Sequence, residues 1–191
     1  MNRFRAFLAG LAIALLSASA TANAGSMVIT PPDTEVQVGE SFDLQVQGRS
    51  FLETIVGGGF DLVFNGAALE LIGVTINPVW EFVPSGGTID NAAGSLTDAS
   101  FNSFTTPRNG DFDVATLSFR ALAPGNWQIA LAPSTIFVFS DTGANEVTPL
   151  FATANVLVAV PEPSAVAMML AGFGLLALTL RYRRRTVPSV V

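Results

Sequence analysis

Between residues 36 and 160 the apolar side chains fall repeatedly at every second position, and that period leaves little room for anything but β-structure. Phe42, Leu44 and Val46 alternate with Asp43, Gln45 and Gln47; Phe60, Leu62 and Phe64 keep the same step; Leu117 and Phe119 flank Ser118, with Arg120 beyond. Successive side chains of a strand point to opposite faces, so each run buries one face and wets the other. Trp127, Ile129 and Leu131 mark a further strand, residues 135–140 a mostly apolar one, and residues 155–160 a closing one. Turn chemistry separates them at Val38-Gly39-Glu40, Asn65-Gly66, Ser85-Gly86-Gly87, Arg108-Asn109-Gly110-Asp111, Pro124-Gly125-Asn126 and Asp141-Thr142-Gly143. Only residues 67–71 hint at a helical turn. Short strands at even spacing with no long helix predict an all-β fold, a two-sheet antiparallel sandwich of jelly-roll or Greek-key kind.

The two ends follow a different rule. Half of the 191 residues are apolar, and the excess is concentrated at the termini together with most of the positive charge. All nine basic residues are Arg: Arg3 and Arg5 open the chain, and Arg181, Arg183, Arg184 and Arg185 close it. Residues 1–24 have the order of a secretory signal peptide, with a basic start, an apolar run over 6–16, and small residues at Ala22 and Ala24 for signal peptidase. That run is too short to span a bilayer, which needs about 20 apolar residues. Cleavage after Ala24 leaves Gly25 first.

Residues 164–180 carry no charge and run directly into the Arg block, which predicts a single membrane helix with its basic end in the cytoplasm. Just before it stands Pro161-Glu162-Pro163. Two prolines remove two amide donors and fix φ, so the strip joins neither a sheet nor the helix and stays extended, open to a protease. The joint order of Pro-Glu-Pro, short apolar helix and Arg cluster resembles the PEP-CTERM sorting signal of exopolysaccharide-producing Gram-negative bacteria. The resemblance covers residues 161–191. It implies an exported chain, held at the inner membrane as an intermediate, cut near residues 161–163 by an exosortase, and delivered to the cell surface or extracellular matrix.

Residues 25–160 remain as one domain of ordinary size. Fourteen carboxylates there face three arginines, a formal charge of −11, which argues against nucleic acid as a partner because phosphate binding needs a basic surface. The sequence of residues 36–46, then 59–65 and Leu69-Glu70-Leu71, resembles the first strands of a cohesin domain, and residues 117–121 with Pro124-Gly125 resemble its later strand and turn. The resemblance implies a jelly-roll sandwich related to carbohydrate-binding modules, of the kind that grips a calcium-loaded dockerin through one sheet face. This chain has a single such module.

The chain holds no Cys, His or Lys, which removes His-based triads, cysteine nucleophiles and Lys-assisted serine chemistry, along with the usual zinc and copper ligands. Glycoside hydrolysis by two carboxylates stays formally open to these residue types, although no acidic pair sits in a recognisable setting. Oxygen ligands for calcium could come from Asp111 and Asp113, or from Asp141, Asn145 and Glu146; neither set has EF-hand spacing, and solvated turns account for both. Among the aromatics Trp80, which follows a proline turn, is the candidate ligand contact, although core packing is the ordinary fate of such a ring. Gly57-Gly58-Gly59 offers either a close approach for a ligand or a bend into the next strand. These readings add up to a non-enzymatic, exported surface or matrix protein that makes protein or structural contacts in an exopolysaccharide or biofilm layer. The alternative is a module that binds the polysaccharide itself.

Overall fold

The computed structural model describes residues 25–160 and 165–185. Twelve strands precede one helix: β1 Ser26–Thr30, β2 Asp33–Gln37, β3 Ser41–Val63, β4 Leu69–Ile76, β5 Thr88–Asp90, β6 Ser95–Asn102, β7 Arg108–Ala121, β8 Gly125–Pro133, β9 Phe139–Asp141, β10 Glu146–Val147, β11 Leu150–Phe151, β12 Thr153–Ala159 and α1 Ala165–Arg185. They form the two-layer β-sandwich that the alternation predicts. In one layer, here called A, the order is β4-β7-β3-β1-β11; in layer B it is β5-β6-β3-β8-β12-β2.

The 23-residue strand β3 belongs to both layers. Its first half pairs with β7 from Ser41↔Arg120 to Gly48↔Phe112, and its second half pairs with β6 and β8 from Gly57↔Asn102 to Val63↔Ala130. Ser50 takes a left-handed φ of 56° between the two halves, and the register with β7 slips on either side of Phe51. The chain's first strand is divided in the same manner: β1 lies on β3 in layer A, Pro31-Pro32 interrupts the ladder because neither residue offers an amide donor, and β2 lies on β12 in layer B.

The glycine run sits inside β3, and its lack of side chains is a packing requirement. A Cβ on Gly58 would come within 2.6 Å of the Phe139 ring, and one on Gly57 would meet Asn102 and the Phe101 carbonyl. The slot is filled by the protein's own residues, so the ligand-approach reading of Gly57-Gly58-Gly59 is replaced by close strand packing.

Four further details differ from the sequence reading. The first and last strands pair in parallel, β1 with β11 and β2 with β12, so the sandwich is not antiparallel throughout. Residues 108–111 open β7 as a strand, with Gly110 at φ 67° bending the ladder opposite Phe51. Of residues 135–140 only Phe139 and Ser140 are strand, and Ile136, Phe137 and Val138 are exposed in a loop. Residues 65–69 make one helical turn through amides of Ala68 and Leu69 on the Asn65 carbonyl, after which Leu69 begins β4.

Inward positions of both layers build a single core, and part of it is a closed circuit of rings. Phe51 of β3 meets Phe112 of β7 at 5.0 Å, Phe112 meets Trp80 at 5.5 Å, Trp80 meets Phe101 of β6 at 4.7 Å, Phe101 meets Phe139 of β9 at 5.5 Å, and Phe139 returns to Phe51 at 6.1 Å. Trp80 is 0% exposed and donates its indole N–H to the Asp113 carbonyl at 2.9 Å. Its placement as a ligand contact is therefore corrected, because the ring has no open face left to stack on a sugar. Replacing Trp80 with Ala is expected to cost about 3–5 kcal/mol of folding stability, the range for truncating a buried aromatic. The urea midpoint of the variant should fall in proportion, and an unchanged midpoint would show that the circuit is not needed.

Candidate functional site

Strand register fixes where the two ends of the sandwich lie. Strand β12 runs out at Ala159 beside Gln37, and the amides of Val38 and Gly39 bond the carbonyls of Ala159 and Ala121. This is the proximal end, from which the chain leaves toward helix α1. At the distal end lie residues 49–56, 77–87, 103–107 and 134–150.

The sorting residues proposed from sequence fall mostly outside the described residues: Ala22 and Ala24, with all of 1–24, and Pro161, Glu162 and Pro163. The described residue before them, Val160, follows β12 directly. Helix α1 begins at Ala165, one residue later than the apolar run at 164, and extends through the Arg block. The side chains described between Met168 and Thr179 are exposed, as are Arg181 and Tyr182. Arg183, Arg184 and Arg185 continue the helix backbone, and their side chains lie outside the described set. Among the described residues no helix is long and apolar enough to cross a membrane. The uncharged run from Ala165 to Leu180 would rise about 24 Å at 1.5 Å per residue, short of a hydrocarbon core of about 30 Å.

The outer faces of the two layers differ in how far they satisfy themselves. On layer A a cross-strand polar ladder joins neighbours: Thr30 to Gln47, Gln47 to Asp113, Thr116 to Gln45, Ser118 to Asp43, and the ion pairs Arg49–Asp111 at 2.9 Å and Arg120–Glu70. On layer B, Thr88 stands opposite Thr97, and Val63 lies opposite Ser95 and Ala130 with its side chain exposed. Side-chain bonds there join Asn155 to Asp33 at 3.0 Å, Gln128 to Thr153, the Asp98 amide to Asp61 and the Ser134 hydroxyl to Asp98. The part of layer B around Thr88, Thr97 and Val63 lies outside these bonds.

Three of the carboxylates named as calcium ligands, Asp111, Asp113 and Asp141, are engaged by hydrogen bonds within the fold. Asp111 accepts from the Ser50 amide and from Arg49, and these two donors, the amide foremost, lower its pKa. Asp113 accepts from Gln47. Asp141 accepts from the Asn145 side chain and from the amides of Asn145 and Gly143; the Asn145 side chain leads in lowering its pKa. Glu146 opens β10, away from that cluster of bonds. Among the described residues no three His, Cys, Asp or Glu groups are gathered as a metal site.

At the distal end one carboxylate organises two loops. Glu81 Oε1 accepts from the amides of Phe104 and Thr105 at 3.2 Å and from the Thr105 hydroxyl at 2.8 Å. Hydrogen bonds from the Ser103 hydroxyl, from its own amide and from Thr105 pull its pKa from 4.5 down to about 2. The clamp brings Phe82 and Phe104 into an edge-to-face pair with centroids 4.8 Å apart and an interplanar angle of 73°, both rings exposed. Sequence reasoning stopped at Trp80 and missed this pair two residues on; the signal was Phe82 between Glu81 and the Val83-Pro84 turn.

Because folding lowers the Glu81 pKa, the clamp's contribution is complete above pH 4.5 and drains as pH falls toward 2. In Glu81→Gln at neutral pH the amides of Phe104 and Thr105 should exchange with solvent several-fold faster than in the parent. The parent itself should lose the same protection, measured against the intrinsic exchange rate at each pH, only as the pH approaches 2. Equal exchange in the two proteins at neutral pH would remove the clamp.

Comparison with known proteins bears on both halves of the chain. Residues 159–185 match the family model of the PEP-CTERM protein-sorting motif. No curated protein matches the chain. Among solved structures, a type I cohesin–dockerin complex from Clostridium thermocellum superposes with a TM-score of 0.60 at 15% identity, over 72% of this chain and 100% of that one. A cohesin module of a family 33 glycoside hydrolase from Clostridium perfringens gives 0.59 at 14%, over 72% and 98%. A non-cellulosomal cohesin from the archaeon Archaeoglobus fulgidus gives 0.59 at 11%, over 75% and 97%. Identities this low establish the fold alone. The protein thus joins a β-sandwich of the cohesin fold to a PEP-CTERM protein-sorting motif at residues 159–185.

Proposed function

We propose that this is an exported, non-enzymatic surface or matrix protein that is held at the inner membrane by helix α1, released or transferred by an exosortase, and then used for protein contacts through its sandwich. The observation that carries the reading is the sorting motif at 159–185, whose match begins at the last residue of β12. An aqueous helix with every described apolar side chain exposed is unstable, and the glycines at 172 and 174 weaken it further, by about 1 kcal/mol each. A bilayer covers those side chains, and local thinning with snorkelling Arg181 makes up the missing length. Positive charge beyond the helix favours a cytoplasmic tail, and a cleaved signal peptide over 1–24 sends the sandwich to the other side.

Protein contact is favoured over carbohydrate binding by the geometry of the sandwich. Trp80 is closed inside the core, and the layer B face around Thr88, Thr97 and Val63 sets exposed polar side chains beside an exposed apolar one. The cohesin structures that share the fold include dockerin complexes, and a face of that kind is what supports a protein partner for this chain. Contribution to an exopolysaccharide or biofilm layer belongs to the same proposal, resting on the sorting motif. Asp111 and Asp141 spend carboxylate oxygens on backbone amides of their neighbours, which supports contact over catalysis.

Mass spectrometry of the mature C-terminus in a host that has the exosortase tests the reading. Mature copies should end near residues 161–163, and the double change Pro161→Ala, Pro163→Ala should leave residues 164–191 attached to most of them. An intact tail on all parent copies would contradict the proposal.

A further inference from the structure

The exposed large apolar side chains of the sandwich are unevenly placed. Leu52, in the bent middle of β3, and Phe82, Val83, Phe104, Ile136 and Val138, on loops, are all exposed and all lie at the distal end. The loops that carry them are joined side by side along the top of layer B. The amide of Phe82 bonds the Asn102 carbonyl, the amide of Ser103 bonds the Val56 carbonyl, the amide of Thr142 bonds the Thr54 carbonyl, and Phe137 packs over Gly59.

Two features show that this end is built and held in shape. Val83 is 72% exposed at φ 47°, a left-handed conformation that a β-branched residue adopts only under constraint. Phe104 is 64% exposed, and it is fixed against Phe82 by the Glu81 clamp on its amide and on Thr105. Apolar groups presented rigidly to water lose little entropy on binding, which is how small patches gain affinity.

We infer that the distal loops dock a protein partner whose contact surface is an apolar pocket with a basic rim. Charge complementarity selects the rim: the domain carries −11, and Glu53, Glu81, Asp141 and Glu146 stand among these loops against Arg108, while Arg49 is already paired with Asp111. A second copy of the same acidic chain would bring like charges together. Ring geometry selects the pocket, because Phe82 and Phe104 meet edge to face and offer no shared flat platform for a sugar, and the adjoining exposed Val83 leaves sugar hydroxyls without partners. The cell's own inner membrane lies at the opposite end of the domain under the proposed topology. This inference rests on the protein-contact reading and narrows it to one end of the sandwich.

The test uses the full-length protein in its own cells, with a benzophenone amino acid placed at position 104, at 97 on the layer B face, or at 72 on layer A as an exposed control. Irradiation inserts the probe into a neighbouring C–H bond of protein, glycan or lipid, and peptide mass spectrometry identifies the adduct. The expected product at 104 is one protein, joined through an apolar peptide flanked by Lys or Arg, absent at 72, and reduced about tenfold or more by Val83→Asp, as for loss of a binding hot spot. An adduct at 104 consisting of this same chain, glycan or lipid overturns the inference, as does no excess over position 72. Protein adducts at 97 without any at 104 sink the distal docking site and leave the broader reading standing; none at either position sinks both.

Discussion

The ring circuit of Phe51, Phe112, Trp80, Phe101 and Phe139 is the contact on which the sandwich depends. Its members come from β3, β7, the 77–82 loop, β6 and β9, so the circuit ties both layers and one long loop into a single packed unit. A chain with no cysteine has no disulfide to hold an exported domain together, and apolar burial must do that work. Edge-to-face contacts add directional preference to that burial, which fixes how the loops at the distal end emerge from it. The Glu81 clamp begins one residue after Trp80, and the exposed Phe82 follows. Core packing and surface presentation are therefore parts of one segment.

A sandwich with open edges invites pairing with other chains, and this one closes its edges locally. Strand β4 ends layer A, yet Asn91 supplies both a donor and an acceptor to Leu71, standing in for a neighbouring strand. Gly86 lies so near the Val74 carbonyl that a Cβ there would come within 2.9 Å. On the opposite side, the strands that change layer do the closing: β3, the β1–β2 pair and the β11–β12 pair each contribute to both sheets. The outermost strand of layer B, β2, carries Asp33 and Glu35, and charge on an edge discourages edge-to-edge growth.

Strands whose one face is buried were legible because burial imposes alternation: Leu44 and Val46, Phe60 and Leu62, Leu117 and Phe119 are all buried as their phase predicts. What was illegible depends on partners distant in sequence. Arg108-Asn109-Gly110-Asp111 has turn composition, and only the ladder to Phe51 and Ile55 across a bend makes it strand. The apolar stretch at 135–138 reads as strand by composition, but the Ser134 hydroxyl accepts from the amides of Ile136 and Phe137 and turns the chain outward. Trp80 sits after a proline turn, a position that suggests a surface ring; its burial comes from Phe101 and Phe112, which the sequence places more than twenty residues away. Parallel pairing at the two ends was hidden for the same reason.

The separation of folding from sorting is written into the position of β12. That strand is bonded on one side to β8 and on the other to β2, with Ala154, Val156 and Val158 buried beneath it. A strand held by two neighbours resists fraying far better than an edge strand, so the C-terminal boundary of the fold is sharp. Among the described residues Val158 is the last buried one, and the sorting match begins at Ala159. Pro161 and Pro163 offer no amide with which the sheet could extend. Nothing beyond Val160 therefore needs to be present for the sandwich to close, and a cut in the Pro-Glu-Pro strip leaves the ring circuit, the paired last strand and the distal loops as they were.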